Sequence, residues 1–380
     1  MSAGSIYRRT KVDGSPGRWH AVIDLPPRPD GQRRQKTSTH DTRRQAQAWL
    51  AKTSEEVRTA DLPDDTITVG VFLSQWLEGK RGLRPSTKVE YQRHLDQVFI
   101  PELGRLKLVD LRSRHIEEVL ERLQKAQEAR RQPISAQTFR RIHATLHSAL
   151  STAEKRGLIR RNPATTVELP KPVRYRAKIW TREEADRFLR TTKNDPHGLL
   201  FRLMLITGMR RGEAIGLQWG DVNASDSSVH IQRAITLVAG EVLIGLPKSE
   251  AGIRVVFLDA TTADQLSKLQ RRALLEHDWT SSMDLDDTFI FTTTRGPLHP
   301  AYVSRRFTTL CKQADVPKIR LHDLRGTSAS LGLTAGEPLL QVSRRLGHSS
   351  ITVTADTYSQ VIPEVAKQAA STLSDTITGT

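Results

Sequence analysis

The sequence of 380 residues contains very little cysteine, and this scarcity excludes several kinds of chemistry. Cys311 is the only cysteine, so the chain can form neither an internal disulfide nor a metal site built from several thiolates. Because it lies in a stretch of periodic apolar residues, we predict a core position rather than a nucleophile. A chain without disulfides suits a reducing compartment, so we expect a cytoplasmic protein.

Long apolar runs and several catalytic motifs are also missing. No run approaches the ~20 apolar residues that a transmembrane helix needs, and the N-terminus MSAGSIYRRT lacks the apolar core of a signal peptide, so no membrane association is expected. No clustered carboxylates or metal-ligand motif supports two-metal nuclease chemistry. No GxxxxGK(S/T) loop supports nucleotide hydrolysis. We therefore predict neither a metal site nor a cofactor.

Acidic residues are outnumbered along much of the chain. Aspartate and glutamate total 42 against 58 lysines and arginines, which gives a formal charge of +16 and a pI near 10.2. A folded protein this basic usually binds a polyanion, most often nucleic acid. The excess is not a single tail, since residues 1–54 hold 11 basic and 4 acidic side chains and residues 66–175 hold 21 and 11.

Residues 1–60 are predicted to form a small α+β domain. RWHAVIDL alternates apolar side chains as a half-buried strand does, and RRQKTST is predicted to be its partner strand. A helix follows in DTRRQAQAWL, where Thr42 and Gln45 have the spacing of a capping box. Five basic residues of this domain either line a groove for DNA or are solvated surface charge, and both interpretations stay open. They are Arg33, Arg34, Lys36, Arg43 and Arg44.

Residues 66–165 are predicted to form a bundle of four or five helices, after the polar linker TADLPDDTIT. Each helix has one apolar stripe, which indicates core rather than a cofactor site. The predicted core residues are Val69, Phe72, Leu73, Trp76, Leu77, Val89, Leu95, Val98, Phe99, Ile116, Val119, Leu120, Leu123, Phe139, Ile142, Leu146 and Leu150. Arg140, Arg141 and His143 are predicted to lie off the last stripe, and the two arginines are candidates for DNA contact.

Residues 177–380 are predicted to form a mixed α+β domain with a C-terminal tail, so the whole chain is expected to be multidomain. A capping box of Thr181 and Glu184 begins one helix, and HGLLFRLMLITGMRRGEAIG predicts two helices joined by a turn at Gly208. SSVHIQRAI, EVLIGLPK and IRVVFLD predict antiparallel strands, and four more helices follow. Apolar residues between 361 and 373 predict a tail helix that packs on its own domain or on a second copy.

The same C-terminal segment contains side chains suited to attack on a phosphodiester. Arginine forks match phosphate oxygens and offset the charge of a phosphoryl transition state. Tyrosine supplies an oxygen nucleophile, which a histidine and nearby cations help to deprotonate, and lysine can protonate the leaving 5′ oxygen. Taken singly, each also has an ordinary structural interpretation. The candidates are Arg210, Lys248, His322, Arg325, His348 and Tyr358, with Glu213 predicted to hold Arg210 and Lys248 predicted at a hairpin tip.

Four segments, in order TGMRRGEAIGLQW, LPKSEAG, LHDLRGTSAS and LGHSSITVTADTYS, resemble the signature regions of the tyrosine recombinases, specifically the phage-type integrases. This likeness covers about residues 177–365. Residues 66–165 resemble the family's helical, SAM-like core-binding domain. Residues 1–55 resemble the arm-type DNA-binding domains of some integrases.

The resemblance implies a role for each matched position. Tyr358 matches the nucleophile and Lys248 the hairpin lysine. The other catalytic positions are matched by Arg210, His322, Arg325 and His348. Such enzymes join the tyrosine to a 3′ phosphate, release a 5′ hydroxyl and exchange strands through a Holliday junction in a homotetramer, without metal or ATP. The implied partners are double-stranded DNA with core and arm attachment sites, an excisionase and a host DNA-bending protein, at the nucleoid of a bacterial cell.

Other functions share part of this pattern. A type IB topoisomerase uses a similar tyrosine, arginine, lysine and histidine set, and the separate basic N-terminal segment favours recombination over it. A DNA-binding regulator without catalysis is disfavoured because no catalytic position is missing. A chromosome-dimer resolvase or a transposon recombinase of the same family stays open, although residues 1–55 favour an integrase of a mobile element.

Overall fold

The computed structural model places the chain in two compact units, residues 1–174 and residues 175–380. In the helices over 43–59 and 351–358, side chains are described only as far as Glu55 and Ala355. The described residues are 4–10, 15–25, 33–59, 66–131, 133–172, 177–276, 284–293, 296–358, 370, 374 and 377. Among them, no helix has both the length and the apolar character needed to cross a bilayer.

The first unit begins with a three-stranded antiparallel sheet and one helix. The sheet has the order β1-β2-β3, from β1 (Gly4–Thr10), β2 (Pro16–Leu25) and β3 (Arg34–His40), and α1 (Arg43–Thr59) follows. The predicted strands β2 and β3 and the predicted helix are confirmed. β1 was not predicted, because an edge strand with almost every residue exposed has no apolar alternation to reveal it.

One face of this sheet packs on α1. Ala21 and Ile23 of β2 are fully buried, as is Ala46 of the helix. The predicted capping box forms, since Thr42 Oγ1 accepts from the Gln45 backbone N–H at 3.2 Å and Gln45 Oε1 accepts from the Thr42 N–H at 3.3 Å. The opposite face of the sheet carries no helix among the described residues.

A helical bundle completes the first unit. It contains α2 (Val69–Glu78), α3 (Pro85–His94), a π-helical turn (Leu95–Phe99), α4 (Ile100–Leu103), α5 (Ser113–Ala129) and α6 (Ala136–Lys155). Their apolar stripes form one core, which confirms the predicted bundle. Two details were wrong. Val89 is 41% exposed, and His143 is buried with its Nε2 2.9 Å from the Ala164 carbonyl oxygen.

The second unit is mixed α+β, as predicted. Its helices are α7 (Arg182–Thr191), α8 (Gly198–Thr207), α9 (Arg211–Ile215), α10 (Ala260–Glu276), α11 (Pro300–Gln313), α12 (Asp323–Thr334), α13 (Leu339–Leu346) and α14 (Ile351–Tyr358). Its strands are β4 (Val222–Asn223), β5 (Ser228–Ile231), β6 (Ala234–Val238), β7 (Glu241–Gly245), β8 (Arg254–Phe257), β9 (Thr292–Thr293) and β10 (Gly296–Pro297).

The strands pair locally. β4, β5 and β8 make one antiparallel sheet, while β6 with β7 and β9 with β10 make two-stranded pairs. The helix α10 was not predicted, because few of its side chains are buried and its apolar stripe is weak. The predicted tail helix over 361–373 lies almost entirely outside the described residues.

The core of the second unit is built on aromatic side chains. Trp180, Phe188, Phe201 and Phe307 pack with ring centroids between 4.9 and 6.2 Å apart. Cys311 is buried beside them, as predicted, and burial raises the pKa of its thiol to about 12. A thiol with so high a pKa is not a nucleophile at neutral pH.

Candidate active site

Arg210 stands at the junction of two helices in the second unit. α8 ends at Gly208, whose φ of +68° is left-handed and whose added Cβ would lie 2.3 Å from Leu346 Cδ2. The left-handed conformation therefore favours glycine, and a larger residue would also force the Leu346 side chain to move. Two residues later Arg210 caps α9, and Glu213 accepts from its backbone N–H at 3.0 Å and from its Nη1 at 2.6 Å. The predicted pair forms, and it fixes the direction of the guanidinium.

Glu213 also holds a second arginine, Arg254. The carboxylate is only 1% exposed, and its Oε2 lies 3.0 Å from Arg254 Nη2. Burial alone would raise the pKa of Glu213, but the charge of Arg254 and the hydrogen bonds from Arg210 and Arg254 outweigh it, so the pKa is lowered. The glutamate therefore stays ionised between two cations.

His322 and Arg325 enter from the start of α12. Arg325 is 4% exposed, and its Nη1 donates to the Gly208 carbonyl at 2.8 Å, beside the turn that leads to Arg210. His322 is exposed as a whole residue, but the protein atoms around its ring partly desolvate it, and this desolvation is the main cause of its lowered pKa. The charges of Arg325 and Arg210 lower the pKa further, and the charge of Asp323 opposes them. Arg325 of the predicted His-x-x-Arg pair therefore contacts the turn that leads to Arg210, and the charges of both arginines act on His322.

His348 enters from the end of α13. The helix stops at Gly347, where φ is +66°, and His348 Nδ1 lies 2.7 Å from Oγ1 of Thr354, a fully buried residue of α14. Burial and then the charges of Arg325, Arg210, Arg254 and His322 lower the pKa of His348 to about 4. The ring is therefore neutral at pH 7, in the field of three arginines.

Lys248 and Tyr358 lie on segments next to this group. Lys248 is exposed on the connection from β7 to β8, and not at a hairpin tip as predicted, because the β6–β7 turn falls at Ala239 and Gly240. That connection passes the end of α13, since an added Cβ on Gly347 would lie 2.5 Å from the Ala251 carbonyl oxygen. Tyr358 is the last residue of α14, and its side chain lies outside the described part of the chain.

Sequence reasoning missed Arg254 and Arg345, which support the site. Arg345 donates from Nε and Nη2 to Glu337 at 2.9 and 2.7 Å, and from Nη1 to Ser328 Oγ at 2.7 Å. This joins α13 to α12. The sequence SRRLGH does not show which of its two arginines is the less exposed. Arg254 could have been noticed from the sequence, because it is a charged residue at the start of an otherwise apolar strand, RVVF.

The arrangement suits a phosphodiester. Two arginines and two histidines from three segments lie close enough for the charges of Arg210 and Arg325 to lower the pKa of both histidines, and the only carboxylate described in contact with Arg210 is already bonded to Arg254 as well. Fixed guanidinium groups stabilise charge that develops on phosphate oxygens, and they need no reorganisation to do so.

Comparison with protein families identifies the family to which the helical and the mixed α+β regions belong. Residues 178–364 match the phage integrase family, and residues 68–124 match the phage integrase N-terminal SAM-like domain. The chain belongs to the phage integrase family of tyrosine recombinases. It is a site-specific recombinase, an enzyme that cuts and rejoins DNA strands to integrate a mobile element.

Two relatives extend this match. The recombinase is 28% identical over 249 residues to the ICEBs1 integrase of Bacillus subtilis strain 168, which is 64% of this chain and 66% of that one. It is 27% identical over 331 residues to a XerC-like tyrosine recombinase of Caldanaerobacter subterraneus subsp. tengcongensis, covering 81% and 83% of the two chains.

Two solved structures share the fold. The integrase of the transposon Tn1549 with a circular intermediate DNA has a TM-score of 0.65 at 19% identity, covering 77% of this recombinase and 95% of that chain. A lambda integrase tetramer bound to a Holliday junction has a TM-score of 0.54 at 19% identity, covering 93% and 94%.

The candidate DNA-binding residues of the first unit do not line one groove. Arg34 and Lys36 lie on the face of β3 that packs on α1, because they pair across the sheet with Leu25 and Ile23. Arg33 precedes that strand and pairs with Asp24, which points to the other face. The recombinase therefore divides this predicted set between the two faces of the sheet.

The remaining candidates lie on two helices. The guanidinium of Arg43 lies 5.6 Å from the Trp19 ring centroid, while Arg44 is exposed on the same helix. In α6, Arg141 pairs with Glu90 at 3.6 Å, and Arg140 donates to the Pro170 carbonyl at 3.4 Å.

Proposed function

We propose that this recombinase breaks and rejoins DNA at one active site in which Tyr358 is the nucleophile. The other members of the set are Arg210, Lys248, His322, Arg325 and His348. The convergence of two fixed arginines and two histidines, beside the helix that ends at Tyr358, carries this proposal. The helix that ends at Tyr358 packs on α12, which carries Arg325, and on α13, which leads to His348.

The first step is attack of the Tyr358 hydroxyl oxygen on the scissile phosphorus. The bond from phosphorus to the 5′ oxygen breaks, a 3′-phosphotyrosyl bond forms, and the tyrosine proton goes to a neutral imidazole. Either histidine can be that acceptor, because its lowered pKa keeps the ring unprotonated at pH 7. Lys248 gives its proton to the leaving 5′ oxygen, and Arg210 and Arg325 stabilise the charge on the non-bridging oxygens.

The second step reverses the first with a different strand. The 5′ hydroxyl of a second DNA attacks the 3′-phosphotyrosyl bond and regenerates the free tyrosine. The number of phosphodiester bonds is unchanged, so this sequence of steps consumes no ATP and assigns no role to a metal. Two exchanges pass through a Holliday junction, and a homotetramer supplies four active sites. The lambda integrase tetramer on a Holliday junction, which shares the fold, supports this assembly.

We assign DNA contacts to each of three proposed domains. Residues 66–165 and 177–380 bind the core site, and residues 1–60 bind a distal arm site. The helix-free face of the first sheet favours DNA, because a β-ribbon fits the major groove and this face is polar. It carries Tyr7 stacked on His20 at 5.6 Å, and Thr39, whose Oγ1 lies 3.2 Å from His20 Nδ1.

The biological setting is proposed from the relatives. They include an integrase of Bacillus subtilis, a putative prophage integrase of Mycobacterium tuberculosis and an integrase of a mycobacterial phage, so we place the reaction on DNA in a bacterial cytoplasm. An excisionase and a host DNA-bending protein are the proposed accessory partners.

A nicked suicide substrate tests the proposed chemistry. Cleavage beside a nick releases a short 5′-hydroxyl strand that diffuses away, so the covalent complex accumulates. Tyr358→Phe should retain DNA binding and form no covalent complex. Tyr302→Phe is the matched control, because it removes one hydroxyl from a partly exposed tyrosine of the same unit, and it should react at the normal rate. Covalent complexes at normal yield with Tyr358→Phe would refute the assignment.

A further inference from the structure

Arg254 donates a hydrogen bond from every nitrogen of its guanidinium group. It begins β8, its side chain is 7% exposed, and each of its three guanidinium nitrogens donates to a different segment. Nη2 donates to Glu213 Oε2 at 3.0 Å, Nε to the Arg345 carbonyl at 2.6 Å, and Nη1 to the Gly252 carbonyl at 2.9 Å.

Each acceptor lies next to a different member of the proposed catalytic set. Glu213 bonds to Arg210 through both backbone and side chain. The Arg345 carbonyl belongs to the last turn of α13, three residues before His348. Gly252 closes the short 3₁₀ turn Glu250–Gly252 that follows Lys248. The Arg254 side chain thus contacts the segments that position Arg210, His348 and Lys248.

The backbone around Arg254 is packed too closely to tolerate ordinary side chains. An added Cβ on Gly252 would lie 2.6 Å from Pro247 Cβ, so the turn closes tightly around Lys248. An added Cβ on Gly347 would lie 2.5 Å from the Ala251 carbonyl oxygen and 3.0 Å from Arg254 Nη1. This close approach leaves the two segments little room to shift independently of Arg254.

We propose that Arg254 is a positioning residue that couples the general acid to the phosphate-binding groups. It does not touch the DNA. It keeps the Lys248 segment, Glu213 and the end of α13 in fixed positions relative to one another. Lys248 then reaches the leaving oxygen while Arg210 and His348 hold the phosphate. This inference rests on the proposed catalytic roles of Lys248 and Arg210. A lysine in place of Arg254 keeps the charge, but its single ammonium cannot reproduce the planar three-way fork.

A substrate with a 5′-bridging sulfur separates proton donation from the other steps. Sulfur leaves without protonation, so Lys248→Ala should lose about 10²–10⁴-fold on ordinary DNA and little on the sulfur substrate. Arg254→Lys should show the same pattern more weakly. The ratio of the sulfur rate to the oxygen rate should rise by roughly tenfold to a hundredfold, because a shift of about 1 Å in the acid has that effect.

Two further variants complete this experiment. In the Lys248→Ala background, Arg254→Lys should change the ratio no further, because the acid is already absent. Arg233→Lys is the matched control, since it alters another ion pair of the same unit, between a partly exposed arginine and the buried Asp221, whose described hydrogen bonds come from Gln218, Gln232 and Arg233. It should leave the ratio at its normal value. An unchanged ratio in Arg254→Lys, with both rates lowered equally, would overturn the proposal.

Hydrogen exchange gives a second readout that does not depend on the roles in catalysis. The amides of Gly252 and His348 donate to the Ser249 and Ser343 carbonyls at 2.8 and 3.1 Å. Arg254→Lys should speed exchange in segments 249–253 and 346–350 together, with other segments unchanged, whereas Arg233→Lys should not. If Lys248→Ala shows no rescue by sulfur, the proposed role of Lys248 fails while this readout still decides on Arg254. Exchange that rises in neither segment, or in only one of them, refutes the coupling.

Discussion

The arginines of the candidate active site and the candidate DNA-binding arginines of the first unit are placed in opposite ways. In the second unit, Arg254 and Arg325 are buried and Arg210 is partly buried, and every one donates to a carboxylate or a backbone carbonyl. In the first unit, Arg33 and Arg141 are mostly exposed and pair with acids at the surface. An arginine whose guanidinium is fixed can donate hydrogen bonds to one particular phosphate in a defined geometry. An exposed arginine attracts DNA mainly through its long-range charge.

The difference teaches what a sequence can reveal about each kind of basic residue. An arginine that must meet a particular phosphate is tied to a turn, a cap or a buried acid, and those leave patterns such as the Gly208 turn and the Glu213 spacing. A surface arginine needs no turn, cap or buried acid, so it leaves no such pattern in the sequence. Residues 1–54 therefore show their charge in the sequence but not the face on which it lies.

The largest effect is expected for Arg325. Arg325→Lys keeps the charge but loses one arm of the fork, so cleavage should fall by about 10²–10³-fold. Binding to a core site should change little, because many other contacts contribute. Single-turnover cleavage and a binding titration on the same DNA measure the two effects. Arg344→Lys, an exposed position of α13, is the control. Equal losses in binding and cleavage would make Arg325 an ordinary DNA contact.

The next largest effect is expected for residues 1–60. Deleting them should leave cleavage of an isolated core site intact and reduce recombination of full attachment sites by about a hundredfold at low protein concentration, because the second DNA contact is lost. The intact protein on DNA that lacks arm sites should match the truncated protein on full sites. Recombination by the truncated protein at the normal rate would contradict an arm-binding role.

A smaller effect separates the two faces of the first sheet. Arg33→Ala should reduce the salt dependence of arm-site binding by about one phosphate contact, whereas Arg34→Ala should leave it unchanged. These neighbours are matched in chemistry but belong to opposite faces. The measurement is the slope of log Kd against log salt concentration. The reverse pattern would mean that the helix-bearing face meets the DNA.

The smallest effect concerns stability and pH. His348 has a pKa near 4 when folded and an ordinary value of 6.5 when unfolded. Between these values the unfolded chain binds a proton that the folded chain excludes, so stability should fall as the pH falls from 6.5 to 4. His348→Gln should flatten this dependence in urea unfolding of the full chain. Around pH 8, above both pKa values, the difference in unfolding free energy between the two proteins should no longer change with pH. An unchanged pH slope in the variant would mean that another group is responsible.

The fold was predictable wherever the burial of one face makes apolar residues recur at a regular spacing in the sequence. The bundle core has wide apolar stripes, and the strand β2 alternates buried and more exposed side chains, so both were found. β1 and α10 lie largely at the surface, so their stripes are weak and neither was predicted. The Lys248 turn was misplaced because β7 and β8 belong to different sheets, and strand patterns do not say which strands pair.

The site was predictable only in part. The short motifs named Arg210, Arg325 and the histidines because these residues recur at fixed spacings within single helices or turns. Arg254 and Arg345 act through contacts between segments far apart in sequence, to which no local spacing corresponds. Supports of this kind appear only once the chain is folded.

Mapping the covalent adduct tests the central claim most directly. The complex trapped on a suicide substrate is digested with trypsin and nuclease, and the peptide that retains the 3′ nucleotide is sequenced by mass spectrometry. The account predicts the nucleotide on peptide 346–367, attached to the oxygen of Tyr358, its only tyrosine. A nucleotide on any other residue, or on any other peptide, would contradict it.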